Sequence, residues 1–317
     1  MKIPTISPFR LILALATGCL LLAGCSKSGG ITVGFVQTGA ESQWRVANTN
    51  SIQSEAAKRG ITLKTAFADG AQDKQIQAIR DFITQKVSAI VIAPVTATGW
   101  DPVLKEAKDA NIPVIVEDRS IDADKSLYAC FIGSDFIKEG HMEAEWLITA
   151  TGGKGRILEL SGEPGSSAAE DRHKAFVDGI ASSNLKIIDS QTGHFKRVEG
   201  KQVMEAYLKK YAKGDYDILF AHNDDMALGA IQAIEEAGLK PGKDIMVVSI
   251  DGEKEAVQAV ADGKINCVVE CNPMVGPIVF DAVQNVLAGK PVAPVTYNTD
   301  HLFDSKNAST EAPNRPY

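Results

Sequence analysis

The chain has 317 residues, of which 44% are hydrophobic and 23% are charged. This composition can build one large or two ordinary hydrophobic cores, and it excludes a disordered chain or a coiled coil. The formal net charge of -7 at pH 7 provides no basic field for phosphate groups, so the sequence argues against nucleic acid as a partner. An acidic binding protein or an enzyme remains.

Residues 1–24 have the pattern of a lipoprotein signal peptide. A positively charged flank precedes the apolar run 11–22, which is too short to span a bilayer, and residues 22–25 read Leu-Ala-Gly-Cys. We expect export to the periplasm, cleavage before Cys25, and lipidation of Cys25 as a membrane anchor. Residues 25–30 then form a flexible tether. A plain secretory signal with an incidental cysteine is the alternative.

Three cysteines remain after the anchor in a compartment that is oxidising. Cys130, Cys267 and Cys271 all lie in β-rich runs, which favours small buried hydrophobic residues. A disulfide from Cys130 to one of the other two is the alternative. No matching histidine or cysteine group accompanies them, so we predict no metal site and no cofactor.

Short strand-like runs alternate with helical spacing along the rest of the chain, and the pattern stops and resumes near its middle. Strands are predicted at residues 31–36, 61–67, 89–93, 113–117 and 128–133, then at 156–160, 186–189, 217–221, 245–250 and 265–271, with an extended piece at 292–298. Helices are clearest at residues 44–59, 138–150 and 275–287. The repeat predicts two α/β lobes, each with a parallel sheet covered on both faces.

Polar and aromatic residues follow the predicted strands, at the sheet edge where open parallel sheets bind ligands. They are Glu41, Trp44, Arg45, Asp118, Arg119, Arg172, Phe195, Asn223, Asp251 and Glu270. Carboxylate, guanidinium and amide groups match the adjacent hydroxyls of a sugar, and aromatic rings cover its C–H faces. Their charges nearly balance, so we expect a neutral polyhydroxylated ligand. Taken singly, Asn223 could be a helix cap and Asp251 part of an ordinary turn.

The sequence contains no G-x-S-x-G elbow and no phosphate-binding glycine motif. A glycosidase pair could be chosen among the strand-end carboxylates, but the neighbouring arginines would lower their pKa values and leave no general acid. We therefore predict that the protein has no catalytic residues and is not an enzyme.

Several segments together resemble the periplasmic sugar-binding proteins of ABC importers in the ribose/galactose-binding group, over essentially the whole mature chain. They are residues 34–37 (Gly-Phe-Val-Gln), 41–45 (Glu-Ser-Gln-Trp-Arg), 117–119 (Glu-Asp-Arg), 221–230 and 249–252 (Ser-Ile-Asp-Gly). The resemblance implies a type I periplasmic-binding-protein-like fold of two doubly wound lobes joined by a three-segment hinge. It places residues 31–134 plus 270–296 in the N-terminal lobe, and residues 135–269 plus 297–317 in the C-terminal lobe.

The resemblance also implies a function for the strand-end residues as ligand contacts, with Glu270 where relatives place Gln or Glu. The hinge is expected near residues 133–136, 267–272 and 295–300. Two residues depart from the family pattern. Ala175 stands where relatives often have glycine, and Phe136 stands where they have asparagine.

The function implied is capture of a neutral monosaccharide, best matched by galactofuranose or a similar furanose, between two closing lobes. A monomeric receptor would then dock on an ABC permease and its ATPase. A sugar-sensing module that signals to a chemoreceptor or histidine kinase is the alternative.

Overall fold

The computed structural model describes Met1 and residues 30–317. Apart from Met1, the predicted signal peptide 1–24 lies outside the described residues, as do the lipidation site Cys25 and all but the last residue of the tether 25–30. Within the described residues, no helix combines the length and the apolar character needed to cross a membrane.

Twelve strands and ten α-helices make up the described residues. The strands are β1 (Thr32–Gln37), β2 (Thr62–Phe67), β3 (Ala89–Ile92), β4 (Val114–Glu117), β5 (Cys130–Gly133), β6 (Lys154–Ser161), β7 (Asn184–Thr192), β8 (Ile218–Ala221), β9 (Met246–Asp251), β10 (Cys267–Glu270), β11 (Val295–Tyr297) and β12 (Leu302–Asp304). The helices are α1 (Gln43–Lys58), α2 (Gln72–Thr84), α3 (Asp101–Asp109), α4 (Phe136–Thr151), α5 (Ser167–Ile180), α6 (Arg197–Lys210), α7 (Asp224–Glu236), α8 (Lys254–Ala261), α9 (Gly276–Leu287) and α10 (Ala308–Glu311).

The strands form two six-stranded sheets, ordered β11-β5-β4-β3-β1-β2 and β12-β10-β9-β8-β6-β7. The first sheet is parallel throughout, and the second is parallel except for β12, which runs antiparallel to β10. Each sheet with its helices is one lobe, called here the first and the second lobe. The prediction of two α/β lobes with parallel sheets is confirmed.

Local sequence explains where the helices that approach the cleft begin. The side chains of Ser42, Ser166 and Asn223 each accept a hydrogen bond from the backbone N–H three residues later, so they cap α1, α5 and α7. Such residues satisfy N–H groups that have no partner inside the helix. Each cap directly follows a strand-end loop, so the first turn of each of these helices points toward the space between the lobes.

The chain passes between the sheets after β5, after β10 and after β11. Asp300 ties the crossings together, because its Oδ1 accepts from Ser134 Oγ at 3.0 Å and from the Asn272 backbone N–H at 3.1 Å. The predicted lobe boundaries stay predictions, and sheet membership differs from them by one residue: Glu270 ends a strand of the second sheet and Tyr297 a strand of the first.

The three mature-chain cysteines are separate, buried thiols. Cys130 lies in the first sheet and Cys267 in the second, so the sheets hold them apart. The disulfide alternative is therefore wrong for this structure. Burial raises the pKa of the Cys130 thiol to about 11, which leaves it protonated at neutral pH and suits a packing role.

Candidate binding site

A cavity lies where the carboxyl ends of the two sheets face each other, and it contains about 290 Å³ of space free of protein atoms. Of the predicted site residues, all but Glu270 line it. The lining residues are Glu41, Ser42, Trp44, Arg45, Asp118, Arg119, Ala168, Arg172, Phe195, Asn223, Asp251 and Cys271.

The cleft around this cavity is closed by direct contacts between the lobes. The backbone N–H of Ser120 donates to Ser167 Oγ at 2.9 Å, and the N–H of Ala97 donates to the carbonyl oxygen of Gly165 at 2.8 Å. Ala97 and Ser120 follow strands of the first sheet, whereas Gly165 and Ser167 follow β6 of the second. The structure therefore represents the closed form of the two lobes.

The first lobe contributes a compact group of opposite charges. Arg45 Nη2 lies 2.6 Å from Asp118 Oδ2, and Arg45 Nε lies 3.2 Å from Glu41 Oε1. Arg119 Nη2 lies 3.5 Å from the same Glu41 oxygen. Burial alone would raise the pKa of Glu41, but Arg45 and Arg119 outweigh it and lower that pKa below its ordinary value. Glu41 is therefore an ionised acceptor at neutral pH.

One nitrogen of the Arg45 guanidinium is free to bind a ligand. Its Nη1 is buried and has no hydrogen-bond partner among the described residues. A buried donor without a partner is costly. A ligand oxygen in the cavity would satisfy it.

The second lobe holds Arg172 from several sides. Its Nε donates to Glu139 Oε2 at 2.7 Å and its Nη1 to the carbonyl oxygen of His222 at 2.6 Å, while Nη2 lies 3.6 Å from Asp251 Oδ1. Burial and the nearby Asp224 carboxylate raise the pKa of Asp251 well above its ordinary value, against the opposing effect of Arg172. Asp251 lines the cavity beside Arg172 and can offer a carboxyl oxygen to a ligand hydroxyl.

Two aromatic rings close the cavity from opposite lobes. Trp44 belongs to the first lobe, yet its ring packs with the hydrophobic cluster of the second. The guanidinium of Arg119 lies over the ring of Phe195, with Arg119 Cζ 5.1 Å from the ring centre. Gly162 makes room for this ring, since a Cβ there would lie only 1.9 Å from Phe195 Cζ.

Three residues that line the cavity have a strained backbone. Asp118, Phe195 and Asp251 are non-glycine residues with φ of 62°, 60° and 140°. Such conformations cost on the order of 1 to 3 kcal/mol each and persist where the surroundings enforce them. The surroundings here are strand-end loops that aim each side chain into the cavity.

Asn223 combines the two roles that its sequence position suggested. Its Oδ1 accepts from the Met226 backbone N–H, which caps α7, and its Nδ2 donates to the carbonyl oxygen of Phe195 at 3.2 Å. It nevertheless lines the cavity. One amide hydrogen and one lone pair of the side chain remain for a ligand.

Glu270 does not line this cavity, and its role as a ligand contact stays a prediction. Its Oε1 lies 2.8 Å from Arg315 Nη1 and accepts from Tyr317 Oη, while its Oε2 lies 2.6 Å from His301 Nδ1. The C-terminal segment thus occupies both carboxylate oxygens. Successive residues of an extended chain point to opposite sides, and it is the next residue, Cys271, that reaches the cavity.

Ser42, Ala168 and Cys271 also line the cavity and were not predicted as site residues. Ser42 carried a signal, because it follows the first strand and precedes a helix in the Glu-Ser-x-Trp-Arg segment. The side chains of Ala168 and Cys271 carry no signal in the sequence that would identify them as ligand contacts. Their position follows from the packing of α5 and from the crossing after β10.

Glu159, His173 and His222 bring their potential metal-ligating atoms within 4.8 Å of one another. However, His222 Nδ1 accepts from the Gly162 backbone N–H at 3.3 Å, so its Nε2 carries the proton and donates to Glu159 Oε1 at 3.0 Å. The pKa of His222 is lowered by burial. Because a protonated Nε2 offers no lone pair, this group is a hydrogen-bond network that joins β6 to β8 rather than a metal site.

The sequence profile of the periplasmic binding protein domain matches residues 33–291. The galactofuranose-binding protein YtfQ of Escherichia coli (strain K12) is 50% identical over 280 residues, which cover 87% of each chain.

Two solved structures share this fold. The periplasmic binding protein of the arabinose ABC transporter from Shewanella sp. ANA-3, bound to α- and β-L-arabinofuranose, has a TM-score of 0.87 and 48% identity, and the match covers 90% of this chain and 95% of that one. A Mycobacterium smegmatis structure in complex with β-D-fucofuranose has a TM-score of 0.86 and 49% identity, with the same coverage of 90% and 95%.

The matches to these relatives cover 87% to 90% of this chain, and the relatives are binding proteins, which confirms the prediction that the chain is not an enzyme. The chain belongs to the periplasmic binding protein family, within its sugar-binding receptors of ABC importers.

Proposed function

We propose that this protein captures one neutral monosaccharide in its furanose form, with galactofuranose or a close analogue as the ligand. The observation that carries the proposal is a cavity between the lobes, into which strand ends of both sheets direct hydrogen-bonding and aromatic side chains. Relatives that are about half identical bind galactofuranose, L-arabinofuranose and β-D-fucofuranose.

The charge of the cavity supports a neutral ligand. Arg45, Arg119 and Arg172 are matched by Glu41, Asp118 and Asp251. A phosphorylated or carboxylated sugar would add unpaired negative charge to a buried space, which is costly. A hydroxyl-rich neutral ring instead completes the donors and acceptors that the ion pairs leave free.

Closure couples this chemistry to transport. Ligand groups that contact both lobes favour the closed form by population shift, and that form presents a joined surface to an ABC permease and its ATPase. The proposal includes a monomeric receptor in the periplasm that is anchored by lipid on Cys25. The lipoprotein pattern of residues 22–25 supports the anchor.

Titration calorimetry of the mature domain with D-galactose, L-arabinose, D-fucose and D-ribose tests the sugar. Reducing sugars present furanose forms at equilibrium, so we expect heat of binding from the first three. Arg119→Ala and Asp251→Ala should each weaken binding by roughly 2 to 4 kcal/mol, because each leaves buried partners unpaired.

The exposed Arg80, which pairs with Glu106 on the surface, provides the matched control. Arg80→Ala should bind like the wild type. The proposal fails if no sugar of the panel binds, or if both cavity variants keep wild-type affinity.

A further inference from the structure

The first turn of α1 obtains half of its hydrogen-bond partners from the opposite lobe. The N–H of Arg45 donates to Ser42 Oγ at 3.0 Å and that of Val46 to the Ser42 carbonyl oxygen at 3.1 Å. The two remaining amides of this turn are those of Gln43 and Trp44. They donate across the cleft, to carboxylates of the second lobe.

These two cross-cleft bonds are short and buried. The N–H of Gln43 donates to Asp225 Oδ2 at 2.6 Å, and the N–H of Trp44 donates to Glu253 Oε1 at 2.8 Å. Both acidic residues are 3% exposed in the closed structure. Acidic side chains are favoured at a helix N-terminus, where the first backbone N–H groups have no partner inside the helix.

Neither carboxylate serves its own helix as a cap. Glu253 occupies the N-cap position of α8, yet its side chain makes no capping bond there. Asp225 lies in the first turn of α7, where Arg197 Nε donates to its Oδ1 at 2.7 Å and leaves Oδ2 for Gln43. The side chains are therefore oriented toward α1 of the other lobe.

The same turn of α1 carries a further contact and part of the cavity wall. The indole N–H of Trp44 donates to the Cys271 carbonyl oxygen at 2.5 Å, and the ring packs in the second lobe's hydrophobic cluster. Ser42, Trp44 and Arg45 all line the cavity. Whatever fixes this turn against the second lobe therefore also fixes these side chains.

We propose that Asp225 and Glu253 are positioning residues that latch the closed cleft by capping α1 from the opposite lobe. Separation of the lobes breaks both bonds, whereas closure restores them without any ligand. The latch sets the closed fraction of the ligand-free protein, and the apparent affinity scales with that fraction. The affinity part rests on the proposed function, but the closure part does not.

Small-angle X-ray scattering of the ligand-free mature protein tests closure directly. Asp225→Ala and Glu253→Ala should each give a larger radius of gyration than the wild type. Glu253→Gln, which keeps an acceptor oxygen for the Trp44 N–H, should restore the wild-type value. Glu235→Ala is the matched control, because Glu235 lies on α7 like Asp225 and pairs with Lys264 on the surface.

Calorimetry with L-arabinose and D-galactose measures the consequence for binding. We expect each alanine variant to bind about tenfold more weakly, the effect of losing one buried hydrogen bond, while Glu253→Gln and Glu235→Ala stay within about twofold. Amide hydrogen exchange of Gln43 and Trp44 in the wild type provides a readout that needs no variant, and protection in the ligand-free protein is expected.

The proposal is overturned if the alanine variants scatter like the wild type, or if Glu253→Gln behaves like Glu253→Ala. Unprotected Gln43 and Trp44 amides in the ligand-free protein would overturn it as well. Failure of every sugar to bind would instead remove the proposed function, while the scattering and exchange data would still decide the latch.

Discussion

Arg172 shows how one side chain organises half of the cavity. Its guanidinium reaches Glu139, the His222 carbonyl oxygen and Asp251 with three different nitrogens. Burial raises the pKa of Glu139 to about 7, although Arg172 opposes this shift. A planar fork can make these contacts at once, whereas a lysine ammonium is a single point charge.

Arg172→Lys should therefore lower the free energy of unfolding by about 3 kcal/mol, since it leaves Glu139 buried without its bonded partner. Urea unfolding monitored by circular dichroism measures this. Arg156→Lys is the matched control, because Arg156 makes similar bonds to Asp217 on the surface. That change should stay within about 0.5 kcal/mol. Equal effects of the two variants would contradict this account of Arg172.

The sequence could predict the site residues whose position depends on one strand and the loop after it. Asp118 and Arg119 follow the buried strand β4, and Asp251 ends the buried strand β9, so the rule that ligands bind at the carboxyl ends of strands was sufficient to place them at the cavity. Glu270 and Cys271 depend on more distant parts of the chain. The C-terminal Arg315 and Tyr317 take the Glu270 carboxylate, and no local pattern indicates where that segment will fold.

The pair of helices α4 and α5 positions Arg172 through an unusually close approach. A Cβ at Gly140 would lie 2.7 Å from the Arg172 carbonyl oxygen and 2.8 Å from Ala175 Cβ. A Cβ at Gly179 would lie 2.6 Å from Ala144 Cβ. The alanine at 175, where the family often has glycine, therefore fits because its partner on α4 has no side chain.

Gly140→Ala tests this packing. Helix propensity alone would stabilise α4 by about 1 kcal/mol, but the new methyl group must push α5 away, at a cost of about 1 to 3 kcal/mol. We expect a net loss in the free energy of unfolding, measured by urea titration. Glu145→Ala, on the exposed face of the same helix, should cause little change. A stabilised Gly140→Ala variant would show that the helices have room.

Helices could be predicted from the sequence where the capping residue and the apolar periodicity agree. Helix α1 was expected at residues 44–59 and runs from Gln43 to Lys58, directly after its Ser42 cap. Strand β12 (Leu302–Asp304) was not predicted, because three residues are too few to show an alternating pattern. It forms through antiparallel pairing with β10, and pairing between distant segments leaves no trace in either segment alone.

Across the whole molecule, closure of the cleft and packing of the lobes bury many acidic groups. Burial raises the pKa of Glu117 to about 8, of Asp224 and Glu139 to about 7, and of Asp300 to about 6. Each pKa is higher in the folded than in the unfolded protein, so the folded state binds more protons between the two values. The free energy of unfolding should therefore fall as the pH rises from about 4.5 to 8.

Glu117 is the residue that tests this most directly. Its Oε2 accepts from Asn48 Nδ2 at 3.0 Å, while its Oε1 is buried without a hydrogen-bond partner among the described residues. Its contribution to stability is present below pH 4.5 and is lost as the pH rises through about 8. Above that pH the ionised group opposes folding by an amount on the order of a few kcal/mol.

Glu117→Gln keeps an acceptor for Asn48 and removes the charge. At pH 5, where the Glu117 side chain is neutral in the folded state, the variant should lie within about 1 kcal/mol of the wild type in urea unfolding, and at pH 8.5 it should exceed the wild type in stability by a larger margin. Glu106→Gln is the control: its hydrogen bond with Arg80 holds the pKa of Glu106 below its ordinary value, so the difference from wild type should be the same at both pH values. A Glu117→Gln variant whose advantage does not grow with pH would mean that Glu117 keeps its charge inside the fold, and the acidic core would then be stabilised by its arginines rather than by protons.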